Sequence, residues 1–305
     1  MNFIVLVSAL ALSYYRPHKS LDWLFHACTP YAQLLERNFN GGKNRHGVVA
    51  WTLGALLPSI VIGFLYYGLM ELNVIIGMLF GIAVLYLILR FSRFSQRAER
   101  IATALADKNI DEARTLLSQW EPPLETSHYN AAEVARVSIE TTLRRAHQGL
   151  FGPIFWFVLL GPGGALLYRL SHLLMQSWEP HLDNHFHRFA HRAFEWLDWL
   201  PIRISGACFA IVGDFEDAVY CWRTQAAGWP EQSLGIILAS GAGALGVRLG
   251  EPLPYRGVLQ FRPELGLGDE ADADYLKSAV GLVWRVLVLL VGLLLLLTFA
   301  HWLGN

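Results

Sequence analysis

The sequence predicts an all-α, polytopic membrane helical bundle with a cytosolic helical insertion and re-entrant or interfacial helices. Three observations lead there. Of 305 residues, 54% are apolar and only 16% charged, and mean hydropathy is +0.35; soluble domains carry nearer a quarter charged residues. Several uncharged runs reach the length that a bilayer demands, roughly 17–25 residues for a helix. Eleven Trp, eleven Tyr and seventeen Phe suit the aromatic belts of a membrane interface. The net charge of −1 supplies neither a basic face for nucleic acid nor an acidic tail, so the lipid bilayer is the partner that composition implies. Cys28, Cys208 and Cys221 are odd in number and widely spaced, which supports neither a disulfide framework nor a zinc site.

The chain falls into three stretches. Residues 1–91 hold an N-terminal membrane segment, a cytosolic loop and a transmembrane hairpin; residues 92–148 form a cytosolic helical region; residues 149–305 form a C-terminal membrane domain. Asn2 to Tyr15 is apolar but short of a full span, and Arg16 and Lys19 follow it, which suits a retained segment rather than a signal peptide. Val48 to Met70 and Val74 to Phe91 are separated only by Glu71, Leu72 and Asn73. Basic residues crowd both flanks of this hairpin, from Arg37, Lys43 and Arg45 to Arg93, Arg97 and Arg100. The positive-inside rule therefore puts both flanks in the cytoplasm and the tip outside.

From 92 to 148, Ile101, Leu105, Leu116, Leu117 and Trp120 recur at helical spacing among charges, and Glu121-Pro122-Pro123 ends the pattern. A second helix is expected from Asn130 through Arg145. Leu150 to Leu174 is apolar but broken by Gly161-Pro162-Gly163-Gly164 and carries Arg169. Such a segment must face protein or a water-filled cavity, and it either crosses or re-enters. Ser177 to Trp199 is amphipathic, with Leu182, Phe186, Phe189, Ala193, Trp196 and Leu200 on one side, as an interfacial helix would be. Ile202 to Val212 and Leu234 to Val247 are short or glycine-rich, which leaves re-entry open for both. Glu251 to Lys277 is a polar, mainly acidic loop, and Val286 to Leu303 is a final span.

Polar residues in apolar surroundings mark the candidate sites. His181, Asp183, His185, His187 and His191 cluster, and each of the pairs His181/His185 and His187/His191 shares a helical face, as metal ligands or a pH sensor would. An interfacial helix with a histidine-rich polar face explains the same spacing without a ligand. Arg169 beside Tyr168 and near His172 can receive an anionic group bidentately or snorkel to head groups. No GxSxG, HExxH or GxxxxGK[ST] run is present, which removes support for hydrolase, zincin and P-loop chemistry.

Gly152-Pro153-Ile154-Phe155-Trp156-Phe157, then Gly161-Pro162-Gly163-Gly164-Ala165 and Tyr168-Arg169, resemble the signature of the CobD/CbiB family, the membrane-bound adenosylcobinamide-phosphate synthases of cobalamin biosynthesis. Ala227-Gly228-Trp229-Pro230 and the Gly241 to Gly250 block resemble its C-terminal motifs, and Ala104 to Arg114 its cytosolic helix. The resemblance implies a synthase that joins aminopropanol, or its phosphate, to a corrinoid carboxylate using ATP with Mg²⁺. It marks Trp156, Tyr168, Arg169, Gly228 and Trp229 as ligand-site residues, with Glu133 and Glu140 as the carboxylates that remain; His172, where the family continues with Asn, is a further ligand-site candidate.

Departures pull the other way. Where the family has Ala-Glu-Asn and Asp-Gly, this chain has Leu143-Arg144-Arg145 and Gln148-Gly149; Trp120-Glu121-Pro122-Pro123 stands near the expected Gly-Arg-Asp-Thr. Leu197 to Arg203 and Ala210 to Gly213 resemble AmpE, a membrane regulator of β-lactamase. Loss of acids at separate motif positions favours a non-catalytic regulator or sensor, with a corrinoid or cell-wall-derived ligand and no resident cofactor. A working corrinoid amide synthase is the alternative, and a transporter the third.

Overall fold

A computed structural model describes residues 2–15, 22–89, 91–122, 124–178, 185–255 and 258–303. It is an all-α membrane protein, with thirteen α-helices among the described residues and one short hairpin. Its helices are α1 Asn2–Tyr15, α2 Asp22–Phe39, α3 Asn44–Trp51, α4 Leu57–Leu72, α5 Val74–Ile88, α6 Phe91–Ala106, α7 Ile110–Trp120 and α8 Ala131–Ala146. There follow α9 Gly152–Ser177, α10 His187–Val212, α11 Phe215–Gln225, α12 Gln232–Leu245 and α13 Ala273–Leu303. The chain packs as two units, residues 1–90 with 149–201 and residues 91–148 with 202–305. The expected stretch 149–305 is thus divided between the units at Pro201, while 92–148 falls wholly in the second.

In the first unit the hairpin forms as the sequence predicts. A π turn at Thr52–Leu56 joins α3 to α4, and Asn73 ends α4 and caps α5 by accepting from the backbone N–H groups of Ile75 and Ile76. The second arm is shorter than its apolar run, because Leu89 turns extended (ψ 133) and Phe91 opens α6. α1 packs against α5, and the Tyr66 hydroxyl donates to Asn2 Oδ1 at 3.3 Å. Phe64, Ile75, Ile76 and Leu79 are exposed, as side chains that face lipid must be.

α9 is not one straight helix. Gly161 has φ +67 and ψ −159, and the chain doubles back there. A straight helix would separate Gly152 from Tyr168 by roughly 24 Å, yet a Cβ on Gly152 would lie 2.3 Å from the Tyr168 ring. A Cβ on Gly164 would lie 2.4 Å from the Trp156 carbonyl, and one on Gly163 2.6 Å from the Ser59 carbonyl. The glycines of the signature are therefore the contact points of a re-entrant hairpin. Its turn sits beside Tyr66 and Tyr67, its second leg runs back along α4 past Gly63 and Ser59, and Leu174 reaches the level of Gly54. Of the two alternatives for this segment, the doubling back is the geometry that re-entry requires.

Trp178, Phe186, Ala190 and Ala193 then close a core with Ala32, Leu35, Ala50 and Trp51. The Trp178 indole donates to the Ala32 carbonyl at 3.0 Å. The face expected for this helix is only partly buried: Phe186 and Ala193 are in the core, whereas Trp196 is 73% exposed and Leu200 is exposed too. The buried line instead follows Phe186, Ala190, Ala193 and Leu197, the three- and four-residue steps of a helix. Leu182 lies outside the described residues.

In the second unit α6, α7 and α8 form the expected insertion. Asn130 caps α8 in a capping box with Glu133, and α7 stops at Trp120. α6 and α8 also pack on α13. α12 is packed in protein: Ile236, Ile237, Leu238, Ala239 and Ala242 are buried, as expected of a core helix that is apolar all round. Its glycines admit backbone contact, since a Cβ on Gly235 or Gly243 would lie 2.3 Å from the Ala226 carbonyl or 2.4 Å from the Asp217 carbonyl. The polar loop after it holds an antiparallel pair, β1 Leu253–Tyr255 and β2 Val258–Gln260. α13 is the last candidate span.

Two outcomes follow. Reporter fusions after Gly149 and after Trp178 are expected to read the same side of the membrane, opposite to a fusion at Glu71; opposite readings at the first two would rule out re-entry. Gly164→Leu is expected to cost about 1–3 kcal/mol or more by overpacking, measurable as a lowered unfolding midpoint in detergent.

Candidate functional site

Polar side chains gather in two clusters, one in each unit. In the first, the hairpin of α9 presents both legs to α10. The Trp156 indole donates to the Leu197 carbonyl at 3.0 Å, and the Tyr168 hydroxyl donates to Asp198 Oδ1 at 2.8 Å. Asp198 is 3% exposed, so its carboxyl oxygens find their partners in the protein rather than in water. Arg169 Nη1 lies 3.4 Å from His172 Nδ1, and the His172 ring packs on Phe194 with centroids 5.0 Å apart. Trp156, Tyr168, Arg169 and His172 thus share one neighbourhood. Asp198 belongs with them and escaped notice in the sequence, where it sits inside an amphipathic run without a motif of its own.

In the second unit α8 lays Glu133, Arg136, Glu140, Arg144 and Arg145 along successive turns. Glu133 serves the capping box, its carboxylate accepting from the Asn130 N–H at 2.7 Å. Glu140 is buried and accepts from the Gly250 N–H at 2.9 Å and from Arg262 Nη1 at 2.6 Å. Arg262 in turn lies over the Trp229 ring, 5.3 Å from its centroid, a cation–π contact. Arg136 pairs with Glu251. Glu140 and Trp229 are therefore joined through Arg262, while Gly228 contributes the turn before Trp229.

Farther along α8, Glu121 Oε1 accepts from Arg144 Nη2 at 2.7 Å and Arg145 Nε at 2.8 Å. Arg145 also donates to the Trp120 carbonyl at 2.8 Å. Burial alone would raise the Glu121 carboxyl, but the two guanidiniums outweigh it and hold its pKa below the ordinary 4.5.

Comparison with known proteins decides the relationship. The family model described as CobD/Cbib protein matches residues 9–283.

The chain belongs to the CobD/CbiB family.

A relative named Cobalamin biosynthesis protein CobD from Stutzerimonas stutzeri is 37% identical over 280 residues, 89% of each chain. One of the same name from Chromobacterium violaceum is 36% identical over 208 residues, 67% of this chain and 66% of its own. Another from Brucella anthropi is 25% identical over 278 residues, covering 85% and 82%. No solved structure matches.

Family membership corrects the regulatory, AmpE-like reading: the relatives carry the name of a biosynthetic protein, and that backs the alternative. The physical premise also changes. Bases gained at 144 and 145 and the acid at 121 were counted as separate departures from the CobD/CbiB pattern, but they meet in one ion pair. The one carboxylate offsets part of the charge that the two arginines bring and leaves one positive charge over.

The histidine cluster is less complete. His181 and Asp183 lie outside the described residues. The His187 and His191 rings pack edge to face with centroids 5.7 Å apart, and the His185 N–H donates to the Gly42 carbonyl. Among the described residues no three His, Cys, Asp or Glu side chains converge as a metal shell needs.

Glu121→Gln is expected to destabilise the chain by about 1–3 kcal/mol, at the low end for a paired carboxylate because both arginines are partly exposed. Because the folded pKa is depressed, the wild-type contribution is present above pH 4.5 and lost as pH falls through the lower folded value. Unfolding midpoints of both proteins from pH 7 to pH 3 should therefore converge at the acid end.

Proposed function

We propose that this chain is a synthase of cobalamin biosynthesis in a bacterial-type inner membrane, joining aminopropanol or its phosphate to a corrinoid carboxylate as an amide. The observation that carries the reading is the 37% identity, over 89% of both chains, to a relative named Cobalamin biosynthesis protein CobD. The signature glycines at hairpin contacts support it, since a scaffold kept for shape at Gly152, Gly163 and Gly164 is one kept for positioning.

The chemistry asks for particular help. A carboxylate repels a nucleophile and has no leaving group; ATP makes one of its oxygens part of a phosphate, which the amine nitrogen then displaces as the amide forms. ATP and the carboxylate are anionic, and guanidiniums held in fixed positions are the groups that would stabilise such charge.

Expression of this chain in a strain that lacks the synthase is expected to restore growth when de novo cobalamin synthesis is required. Failure to grow with the protein verified in the membrane would overturn the assignment.

A further inference from the structure

Arg136 has more binding capacity than the chain uses. It is 7% exposed, and its Nε has no hydrogen-bond partner although solvent does not reach it. Its charge is met through Nη1 by the carboxylate of Glu251. That carboxylate is of a different kind. Its side chain is 50% exposed, and its backbone has φ +66, a left-handed conformation that a non-glycine residue adopts at a cost. A fixed, buried cation is thus paired with a half-solvated anion on strained backbone.

The strap that carries Glu251 does not depend on that pair. Gly250 donates to Glu140, and Arg262 donates to the carbonyls of both Gly250 and Glu251, at 3.2 and 3.0 Å. Arg262 is itself pinned by Glu140 and stacked on Trp229. The backbone on both sides of the Glu251 side chain is held by groups other than its carboxylate, which can therefore leave Arg136 while the strap stays in place.

We propose that Arg136 is the receiving site for a carboxylate ligand, and that Glu251 occupies it as an exchangeable stand-in. Charge selects the class. Arg136 and Arg262 face Glu140 and Glu251, two cations against two anions. A monoanion that replaces Glu251 keeps the balance, whereas a phosphate dianion adds charge beside Glu140. Geometry agrees, because a carboxylate bound end-on engages Nη1 and Nη2 of the guanidinium together, whereas Glu251 meets Nη1 alone. The site deepens the synthase reading, from which the identity of the natural ligand, a corrinoid carboxylate, is taken.

The test is chemical rescue in the full-length chain purified in detergent. Glu251→Ala is expected to lower the unfolding midpoint, and sodium propionate to restore it saturably against sodium chloride of equal ionic strength. With Arg136→Gln added, restoration should vanish; Glu251→Gln, which keeps the shape, replaces the alanine if truncation prevents folding. No saturable restoration, or restoration undiminished without Arg136, overturns the site, and inorganic phosphate acting in place of propionate overturns the carboxylate assignment. In a separate arm, a corrinoid carboxylic acid followed by its visible absorbance should bind Glu251→Ala about tenfold more tightly than wild type, a gain of roughly 1.4 kcal/mol. Propionate rescue without corrinoid binding upholds the Arg136 site and overturns the synthase reading instead.

Discussion

The doubling back of α9 at Gly161 is the constraint on which the first unit depends. In hydrocarbon an unsatisfied backbone group costs several kcal/mol, so a helix can break only where protein shelters the break. Gly161, Pro162, Gly163 and Gly164 are all buried, and α4 lines the turn. The positive φ at Gly161 demands glycine, and the glycines after it let the legs meet backbone to side chain. Only because the chain reverses do Trp156 and Tyr168, twelve residues apart, reach consecutive residues of α10. A straight helix would set them about 18 Å apart along its axis.

The second unit is governed by charge pairing along α8. Each buried or half-buried guanidinium there meets a carboxylate: Arg144 and Arg145 share Glu121, Arg262 takes Glu140, and Arg136 takes Glu251. Pairing of this kind offsets desolvation rather than adding much net stability. The pairs differ in how much each partner is buried, and that difference separates a clasp from an exchangeable contact.

Much of this was legible in the residues. Uncharged runs gave the hairpin and the last span, Gly161-Pro162-Gly163-Gly164 gave the break, and Asn130 with Glu133 gave a helix start through a local capping pattern. These are signals written within a few residues of one another. Contacts between distant residues were not legible. Arg144 and Glu121 lie 23 positions apart and Glu251 and Arg136 115, and neither pair has a spacing to betray it. Glu121 therefore looked like a helix breaker's neighbour and the arginines like a lost active site. Asp198 was hidden for the same reason, its partner Tyr168 being 30 residues away. α12 was ambiguous for another reason, because an apolar, glycine-rich run looks alike whether lipid or protein surrounds it.

That helix has a consequence for how the family can change. At Gly235 and Gly243 the neighbouring main chain occupies the space where a side chain would begin, and at Gly241 the Leu143 side chain does. There is no atom there to trim and no room to add one, so these positions offer natural variation nothing to work on. Sequence drift must be absorbed on surfaces such as the outward faces of α4 and α13, where exposed leucines and valines can be exchanged for one another. The slowest-evolving part of such a protein would then be set by packing alone: a helix defined by the side chains it lacks.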